Sequence, residues 1–518
     1  MKLKILFSIF FTFFFACSFS QPNYFSKVYF AQQSLQVHEA VKCIGDNFIV
    51  VGEKDSEGFI MKIDSSGNLL WNRQLGNTYN ERFTSLTQIN DSTFAACGKI
   101  LTAGINLDVF ITYFKLNGAI ILNKKIDLGF SEEATSISST SDHGLILSTI
   151  VHGSASAPYD KIGIIKLDSN TNLQWGKIYN YGTNADIPYT IKQVQDSNYM
   201  LCGYIENFPP FDADGSLIYL DKNGNIIWSN KYQVGNNWSM FKDFEADNFG
   251  ITGLISTPDM KLCLTRIDYS GNVIWNKSYY GAYQMVTIND QYTKLNRTSD
   301  GKLLLTGMQT LIKTDSTGNL LWSTSPMMYS CRTIESNNKD LTIIGNGPVI
   351  GVTQPITFNP HIGIVRADSA GNFILCNQIP NSVGILNDSI YPIGINYSVT
   401  TSGTITSISI IQDTSQIFVN TGCVNFYGSN ETVNYSDSDS KFYPNPAGDF
   451  TSIKLNGIEK SEYESVNIFD AFGREMLINS EFSDDVLQLN LATIPSGIYF
   501  ICLNRRNSPI KQKLLINH

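Results

Sequence analysis

The sequence of 518 residues is poor in charge and in the side chains from which most catalytic and metal sites are built. Only 16% of its residues are charged, and it contains five histidines and nine cysteines. Lys and Arg number 37 against 46 Asp and Glu, which gives a formal net charge of −9. Because nucleic-acid binding requires a basic surface that neutralises phosphates, this balance argues against a nucleic-acid partner.

Sequence motifs of catalysis and of metal binding are also missing. No cysteine pair or cysteine–histidine group has the spacing of a structural zinc site. The HExxH pattern, the GxSxG turn and the phosphate-binding glycine loop are absent, so we predict no catalytic residue, metal ligand or cofactor site. Carboxylates from distant segments could still meet in the fold, which leaves the question of enzymatic activity open.

The cysteines offer one candidate disulfide. Cys97, Cys202 and Cys263 lie inside apolar strand patterns, which predicts that they are buried thiols. Cys376 and Cys423 flank the end of the repeat region described below. These two could pair in an oxidising exterior.

The one long apolar run lies at the N-terminus. Two lysines precede an apolar core over residues 5–15, and small residues follow at Ser18 and Ser20. This pattern predicts a signal peptide over residues 1–20, with acylation of Cys17 in a lipoprotein as the alternative. A run of about a dozen apolar residues is too short to cross a bilayer, so no transmembrane segment is predicted.

What the sequence has in abundance is a repeat of about 51 residues. Its clearest copy reads Asp64-Ser65-Ser66-Gly67-Asn68, and a tryptophan follows the aspartate by seven positions. Five copies keep this tryptophan, at Trp71, Trp175, Trp228, Trp275 and Trp322. Two further copies carry leucine in its place, at Leu122 and Leu375.

The Asp-x-x-Gly-Asn segment has two interpretations. A calcium loop of the EF-hand type requires glycine at the sixth position and glutamate at the twelfth, and this segment does not provide them. We therefore interpret it as a turn in which the Asp64 side chain caps the backbone and Gly67 supplies a positive φ. The tryptophans are predicted to pack between neighbouring repeats, with a row of sugar-stacking platforms as the alternative. Trp238 lies outside the repeat and is a candidate for an exposed contact residue.

A second pattern keeps step with the first and defines the fold class. Alternating apolar runs that end in glycine, such as Asn47–Gly52 and Asn198–Gly203, follow short Ser/Thr-rich runs in each period. Each period thus holds four short strands separated by turn residues, which is typical of a β-propeller blade. The sequence predicts an all-β protein with a seven-bladed β-propeller over residues 21–380. Residues 24–29 are expected to pair with the last blade.

The region after the propeller is ambiguous. Strands at residues 403–425 could belong to the closing latch, to a partial eighth blade or to a separate bridge. A polar stretch without apolar periodicity follows, and residues 381–438 are therefore assigned to extra strands and a linker. Alternation with tight turns over residues 439–518 predicts a small Ig-like β-sandwich.

The last eighty residues contain several ordered motifs. They share short polar or glycine-containing turns beside apolar strands, at Tyr443, Pro444, Asn445, Pro446, Asp470, Gly473, Arg474, Gly497 and Tyr499. The tail over residues 439–518 resembles the type A C-terminal sorting domain of the type IX secretion system of Bacteroidetes. The repeat region is similar to the Asp-x-x-Gly-Asn…Trp propeller repeats of secreted Bacteroidetes proteins.

The resemblance implies where the protein goes. A sorting domain implies Sec export through the periplasm and then recognition by the type IX machinery, so that the protein is secreted or attached to the outer-membrane surface. We expect the propeller to be a binding module for a glycan or a protein. The alternatives are an extracellular polysaccharide hydrolase or lyase with a site at the propeller mouth, and a scaffold in a surface assembly.

Overall fold

A computed structural model describes residues 26–518 with internal gaps. The gaps are residues 32–33, 77–80, 103–105, 155–157, 183, 208–211, 236–237, 260, 281–292, 308, 327, 349–361, 373–378, 381–383, 387–389, 409, 414–416, 422–441, 455–462, 471–474, 477, 484–485 and 506–509. The predicted signal peptide and the candidate disulfide between Cys376 and Cys423 lie outside the described residues. The chain divides into two compact units, Met1–Phe426 (unit 1) and Tyr427–His518 (unit 2).

The described residues of unit 1 form seven five-stranded antiparallel sheets, numbered here in chain order, each with four strands followed by a distant fifth. Sheet 1 consists of Leu35–Cys43, Asn47–Lys54, Glu57–Ile63, Leu69–Gly76 and Ile411–Asp413. Sheet 2 consists of Glu81–Asn90, Thr93–Leu101, Leu107–Lys115, Ile120–Asp127 and Thr404–Ile408. Sheet 3 consists of Glu132–Ser139, Leu145–Val151, Lys161–Leu167, Leu173–Asn180 and Ser398–Thr401. Sheet 4 consists of Ala185–Gln193, Tyr199–Asn207, Asp212–Leu220, Ile226–Val234 and Ile390–Gly394.

The last three sheets follow the same plan. Sheet 5 consists of Met240–Asp247, Gly250–Ser256, Leu262–Ile267, Val273–Tyr280 and Gly384–Leu386. Sheet 6 consists of Lys294–Arg297, Leu303–Thr306, Leu311–Thr314, Leu320–Ser325 and Ile379–Pro380. Sheet 7 consists of Met328–Glu335, Leu341–Pro348, Ile362–Ala367, Ser26–Phe30 and Phe418–Thr421. Two short 3-10 turns, Ile44–Asp46 and Gln195–Ser197, join the first two strands of sheets 1 and 4.

Sheet 7 takes its fourth strand from the N-terminus. Ser26–Phe30 pairs antiparallel with Ile362–Ala367, with Tyr29 opposite Ile362. This pairing confirms the prediction that the N-terminal strand joins the last repeat. The first strand of the described chain and the last repeat therefore share one hydrogen-bonded sheet.

One continuous segment provides the fifth strand of every sheet. This return segment, residues 379–421, pairs first with sheet 6, then with sheets 5, 4, 3, 2 and 1, and finally with sheet 7. Its strands run through the repeats in the reverse of their chain order and are two to five residues long. Because an unpaired edge strand invites association with other chains, the segment covers what would otherwise be an exposed outer edge on each sheet.

Within the described part of unit 1, the core residues form seven apolar clusters, and each lies between two consecutive sheets. One of them joins sheet 7 to sheet 1 and includes Tyr29, Ile362 and Val50. The packing order of the sheets is therefore cyclic. Cys97, Cys202 and Cys263 are buried within these clusters, as predicted.

The Asp-x-x-Gly-Asn segments form closed turns between the third and fourth strands. In the first copy, Asp64 Oδ1 accepts hydrogen bonds from the backbone N–H of Ser66 (2.9 Å) and Asn68 (2.7 Å). Its Oδ2 accepts a bond from Asn68 Nδ2 (2.9 Å). Gly67 has a φ of +71°. Both oxygens of the aspartate are thus used by the turn itself.

Side chains on the fourth strand of one sheet donate hydrogen bonds to the Asp-x-x-Gly-Asn turn of the next sheet. The Lys177 ammonium donates to Asn225 Oδ1 (3.0 Å), and the Tyr179 hydroxyl donates to the carbonyl of Gly224 (2.7 Å). A Cβ on Gly224 would lie 2.8 Å from the Trp175 ring, so this turn needs glycine for proximity as well as for its φ of +73°. The same hydroxyl-to-glycine bond recurs at Tyr232, Tyr279 and, from sheet 7 to sheet 1, at Tyr29.

Unit 2 contains two four-stranded antiparallel sheets. One has the strand order Phe442–Tyr443, Phe450–Lys454, Val486–Asn490 and Asn479–Ser483; the other has the order Glu475–Met476, Tyr463–Asp470, Gly497–Arg505 and Ile510–Ile516. Apolar residues from both sheets, among them Ile453, Leu487, Ile468 and Leu503, form a single core.

Candidate functional site

The first strands of the seven sheets surround the centre of unit 1, since each contacts the first strand of the next sheet and the seventh contacts the first. Six of these strands carry a β-bulge at the same place, between Val37/Glu39, Phe83/Ser85, Ala134/Ser136, Pro188/Thr190, Phe241/Asp243 and Ser330/Arg332. A bulge re-aims the side chain that follows it. Lys294 holds the corresponding place in sheet 6, because Leu295 N–H bonds to Asp243 as Ile137 N–H bonds to Ser85. We call these seven positions the central ring.

Four members of the central ring form a buried ionic network. Arg332 donates two hydrogen bonds to the Glu39 carboxylate, both of 2.7 Å, and lies 3.6 Å from Asp243. Lys294 lies 3.6 Å from Glu39. Lys192, two residues beyond the ring position in its strand, lies 3.1 Å from Asp243. Glu39 and Asp243 are 2% and 1% exposed, so both carboxylates depend on these cations for their charged form.

The pKa values of the two carboxylates reflect this pairing. Burial acts to raise the pKa of Asp243, but Lys192, Lys294 and Arg332 outweigh it and lower the pKa to about 2. Burial opposes the same effect at Glu39, where Arg332 and Lys294 hold the pKa below its usual range. Both groups are therefore ionised at neutral pH.

The other three members of the central ring are neutral. Ser85 Oγ accepts a bond from Ile137 N–H (3.2 Å), and Ser136 Oγ accepts one from Ile191 N–H (3.3 Å). The Thr190 hydroxyl donates to the carbonyl of Lys242 (3.2 Å). Each hydroxyl thus joins its sheet to the backbone of the next sheet through one hydrogen bond.

A cavity of about 700 Å³ opens at the C-terminal ends of the first strands. Its charged lining residues come from sheets 1, 4, 5, 6 and 7 and include Lys42, Lys192, Glu245, Arg297, Arg332, Glu335 and Lys339. Lys42 pairs with Asp46 (2.8 Å) and Lys192 with Glu245 (3.2 Å). The cavity therefore presents charges of both signs, most of them already in ion pairs.

Two groups in the cavity wall have special hydrogen bonding. Arg297 lies 3.6 Å from Asp247, but its Nε is a buried donor without a partner among the described residues. Ser299 donates to Glu335 Oε2 from its backbone N–H (2.8 Å) and from its hydroxyl (2.5 Å), and Lys339 bonds to the same hydroxyl.

The opposite ends of the first strands carry buried carboxylates. Glu132 and Asp186 stand at equivalent places, two residues before the bulge, and both are fully buried. One oxygen of each accepts a backbone bond, Glu132 from Phe130 N–H (2.8 Å) and Asp186 from Tyr181 N–H (3.0 Å). Burial raises the pKa of each to about 7.

The tryptophans predicted from the sequence do not line the cavity. Trp71, Trp175, Trp228, Trp275 and Trp322 are half-buried on the fourth strands, and Trp238 is half-buried between sheets 4 and 5 along the chain. Trp71 Nε1 donates to the carbonyl of Leu116 in sheet 2 (3.2 Å), and Trp228 Nε1 to that of Tyr269 in sheet 5 (2.9 Å).

The tail residues named from the sequence lie in unit 2. Tyr443 is 79% exposed, and Asn445 Oδ1 accepts a bond from Leu515 N–H (2.9 Å). Tyr499 donates from its hydroxyl to the carbonyl of Pro495 (2.8 Å). Gly473 and Arg474 lie outside the described residues.

Sequence reasoning missed the central ring and the cavity. Their residues are single charged or hydroxyl side chains in Ser/Thr-rich runs about 50 residues apart. The signal that could have found them is the recurrence of these runs just upstream of each apolar strand, with Glu39, Asp243, Lys294 and Arg332 as charged exceptions.

Comparisons with known proteins add three findings. The chain is similar to a protein of unknown function from Bacteroides caccae (14% identity, 58% of this chain, 93% of that one, TM-score 0.33). It is also similar to BBS1N in its complex with ARL6DN (10% identity, 68% of this chain, 100% of that one, TM-score 0.41). A third similar structure is XC5397 of Xanthomonas campestris, described as a gluconolactonase (11% identity, 65% of this chain, 99% of that one, TM-score 0.28). These TM-scores are below 0.5, and we draw no conclusion from them. No curated protein sequence matches the chain significantly.

The tail has a family match. Within the described residues, no helix is long and apolar enough to cross a membrane. Residues 441–517 match the family described as the secretion system C-terminal sorting domain. The chain therefore carries the sorting domain of the type IX secretion system and is a secreted or cell-surface protein.

Proposed function

We propose that unit 1 is a closed seven-bladed β-propeller that binds a polar partner outside the cell, in the cavity at the C-terminal ends of its first strands. The observation that carries this proposal is the cavity of about 700 Å³, because charged side chains from five sheets converge there. The seven apolar clusters in cyclic order support the closed ring. A cavity with a few convergent polar groups on a rigid frame is a typical binding site.

The lining favours a protein segment over a glycan. Sugar recognition commonly uses an aromatic ring as a platform, and none of the described residues that line the cavity is aromatic. The lining carries cations such as Lys42 and Lys339 and anions such as Glu245, which suits a peptide that has both acidic and basic side chains. A peptide segment of mixed charge is therefore the proposed ligand.

Binding can be tested with the purified full chain on a mixed-charge peptide array and on a glycan panel, with release of soluble sugar measured in parallel. We expect saturable binding to peptides, weakened at least about tenfold by Arg297→Ala. Lys99→Met is the matched control: Lys99 is also a half-buried cation in an ion pair, with Glu133 (2.8 Å), but it does not line the cavity.

Each outcome assigns the site. Saturable glycan binding without release would replace the peptide by a carbohydrate, and sugar release lost on Glu245→Gln would replace binding by hydrolysis. Equal effects of Arg297→Ala and Lys99→Met on the affinity would remove the cavity from the proposal.

We propose further that residues 439–518, within unit 2, are an Ig-like β-sandwich that directs the protein out of the cell after a signal peptide over residues 1–20 is removed. Its single apolar core between two four-stranded sheets supports the sandwich. Deletion of residues 439–518 should leave the protein in the periplasm, as measured by cell fractionation. Normal export of the shortened chain would contradict this role.

A further inference from the structure

Three carboxylates meet where sheet 2 joins sheet 3. Asp108 lies at the start of the third strand of sheet 2, Asp127 at the end of its fourth strand, and Glu132 at the start of the first strand of sheet 3. One oxygen from each can be chosen so that all three lie within 4.8 Å of one another. These residues are far from the cavity, at the opposite ends of the strands.

The buried state of Glu132 is a second and independent observation. The side chain is 0% exposed, and its Oε1 accepts a hydrogen bond from Phe130 N–H (2.8 Å). Its Oε2 is buried and has no hydrogen-bond partner among the described residues. The hydrogen bond from Phe130 N–H explains why Oε1 is buried. It does not explain the burial of Oε2, because a buried acceptor normally has a hydrogen-bond partner.

The charges of the cluster point to a divalent cation. The Lys125 ammonium lies 2.7 Å from Asp108 Oδ2, and Gly129 N–H donates to Asp127 Oδ1 (2.6 Å). When Glu132 is ionised, the three carboxylates and one ammonium carry a formal charge of −2. A cation of charge +2 would neutralise the cluster, whereas a second ammonium would leave it negative.

The fold contains its own comparison. In sheet 4, Asp214 and Lys231 occupy the places of Asp108 and Lys125 and form the same ion pair, also of 2.7 Å. The other two carboxylates have no acidic counterpart there, because Gln233 and Ser239 stand at the equivalent positions. Sheets 2 and 4 thus share the lysine–aspartate pair, and Asp127 and Glu132 are additions to it at the junction of sheets 2 and 3.

We propose that Asp108, Asp127 and Glu132 bind a hard divalent cation, of which Ca²⁺ fits best, at the junction of sheets 2 and 3. Ca²⁺ takes oxygen ligands at about 2.3–2.6 Å, so ligand oxygens on opposite sides of the ion are roughly 5 Å apart, which matches the cluster. Zn²⁺ prefers nitrogen and sulfur ligands, and this site offers none. The bound ion would tie the third and fourth strands of sheet 2 to the first strand of sheet 3.

The test uses the purified full chain, titrated with CaCl₂ and separately with MgCl₂ by calorimetry after treatment with EDTA. We expect one Ca²⁺ site with a Kd on the order of 10⁻⁴ M, as in extracellular modules, and weaker binding of Mg²⁺. Thermal unfolding should shift to higher temperature in millimolar CaCl₂. A chain that shows neither calorimetric binding nor a thermal shift would overturn the proposal.

Variants identify the ligands. Asp127→Asn and Glu132→Gln keep side-chain size and should each weaken Ca²⁺ binding at least about tenfold. Asp127 is only half-buried, so its variant should fold even if the Glu132 variant does not. Asp214→Asn is the matched control and should bind Ca²⁺ as the natural chain does. Unchanged Ca²⁺ affinity in a folded Asp127→Asn chain would assign the binding elsewhere and overturn the site.

Discussion

The central ring uses two chemistries at one structural position. In sheets 1, 5, 6 and 7 the residue at this position is charged, and the four side chains form one ionic network around Arg332. In sheets 2, 3 and 4 it is a serine or threonine that makes a single bond to the next sheet. In the six first strands that carry the bulge, the same backbone arrangement accommodates charged residues (Glu39, Asp243 and Arg332) as well as hydroxyl residues.

The difference lies in how far each side chain depends on its neighbours. Each hydroxyl of Ser85, Ser136 and Thr190 makes one hydrogen bond to a backbone group of the next sheet. These three residues, which we call the hydroxyl part, therefore contribute independently of one another, in contrast to the ionic part formed by Glu39, Asp243, Lys294 and Arg332. A buried carboxylate such as Glu39 or Asp243 is stable only while cations from other sheets stay in place. The ionic part therefore acts as one unit and stands beside the cavity, where Lys192 and Arg332 belong to both.

The largest expected effect is loss of the cation at the middle of the ionic part. Arg332→Met leaves Glu39 and Asp243 buried with fewer counter-charges, and we expect a loss of about 3–5 kcal/mol in unfolding free energy. Urea unfolding followed by tryptophan fluorescence measures it, since all six tryptophans lie in unit 1. Arg332→Lys is the control and should lose less, because it keeps the charge. If Arg332→Met lowered the unfolding free energy no more than Ser136→Ala does, the ionic and hydroxyl residues of the central ring would contribute equally to stability.

The second expected effect is a pH dependence confined to the ionic part. The folded pKa of Asp243, about 2, is below the usual unfolded value of about 3.9, so the stability it contributes is present above pH 4. That stability, about 2–3 kcal/mol, is lost as the pH falls from 4 to 2. Asp243→Asn should lower stability at pH 7 and make the fall of the unfolding free energy between pH 4 and 2 shallower, while other carboxylates of lowered pKa, such as Asp142 and Asp315, keep their share. An equally steep acid transition in this variant would show that other groups cause it.

The smallest expected effect is in the hydroxyl part. Ser136→Ala removes one acceptor for Ile191 N–H and should cost about 1 kcal/mol, independent of pH between 4 and 2. Urea unfolding at both pH values checks this. Ser136→Thr, which keeps the hydroxyl, is the comparison, and a loss well above 1 kcal/mol on Ser136→Ala would mean that these links are coupled.

Local patterns in the sequence account for much of the fold. Each Asp-x-x-Gly-Asn turn is a short run of consecutive residues with a glycine at a positive φ, so it is visible in the sequence. Together with the apolar strand patterns, the period of these turns predicted four strands in each of seven repeats. The apolar alternation around Cys97 and Cys202 predicted buried strands correctly. The tail motifs, from Tyr443 to Tyr499, predicted the sorting domain that the family match supports.

Features that depend on distant pairing left no readable pattern. The strands of the return segment are too short to show a period, and Ile379–Pro380 is a single pair of residues. The charges of the central ring come together only because bulges in separate sheets turn them to one place, as for Glu39 and Arg332, which are 293 residues apart. The cluster of Asp108, Asp127 and Glu132 likewise arises from three different strands.

The strand composition of sheet 7 determines when the fold of unit 1 can be completed. Its fourth strand, Ser26–Phe30, precedes its other four strands in the chain, and its fifth, Phe418–Thr421, comes almost four hundred residues later. The N-terminal strand can therefore form its pair with Ile362–Ala367 only after the last repeat has been synthesised. Its second edge is covered only after residue 421 has been synthesised. A chain that stops before residue 379 leaves all seven sheets without their fifth strand, and one that stops within the return segment still leaves sheet 7 without its own. Synthesis through residue 421 is therefore a condition for the complete set of seven five-stranded sheets.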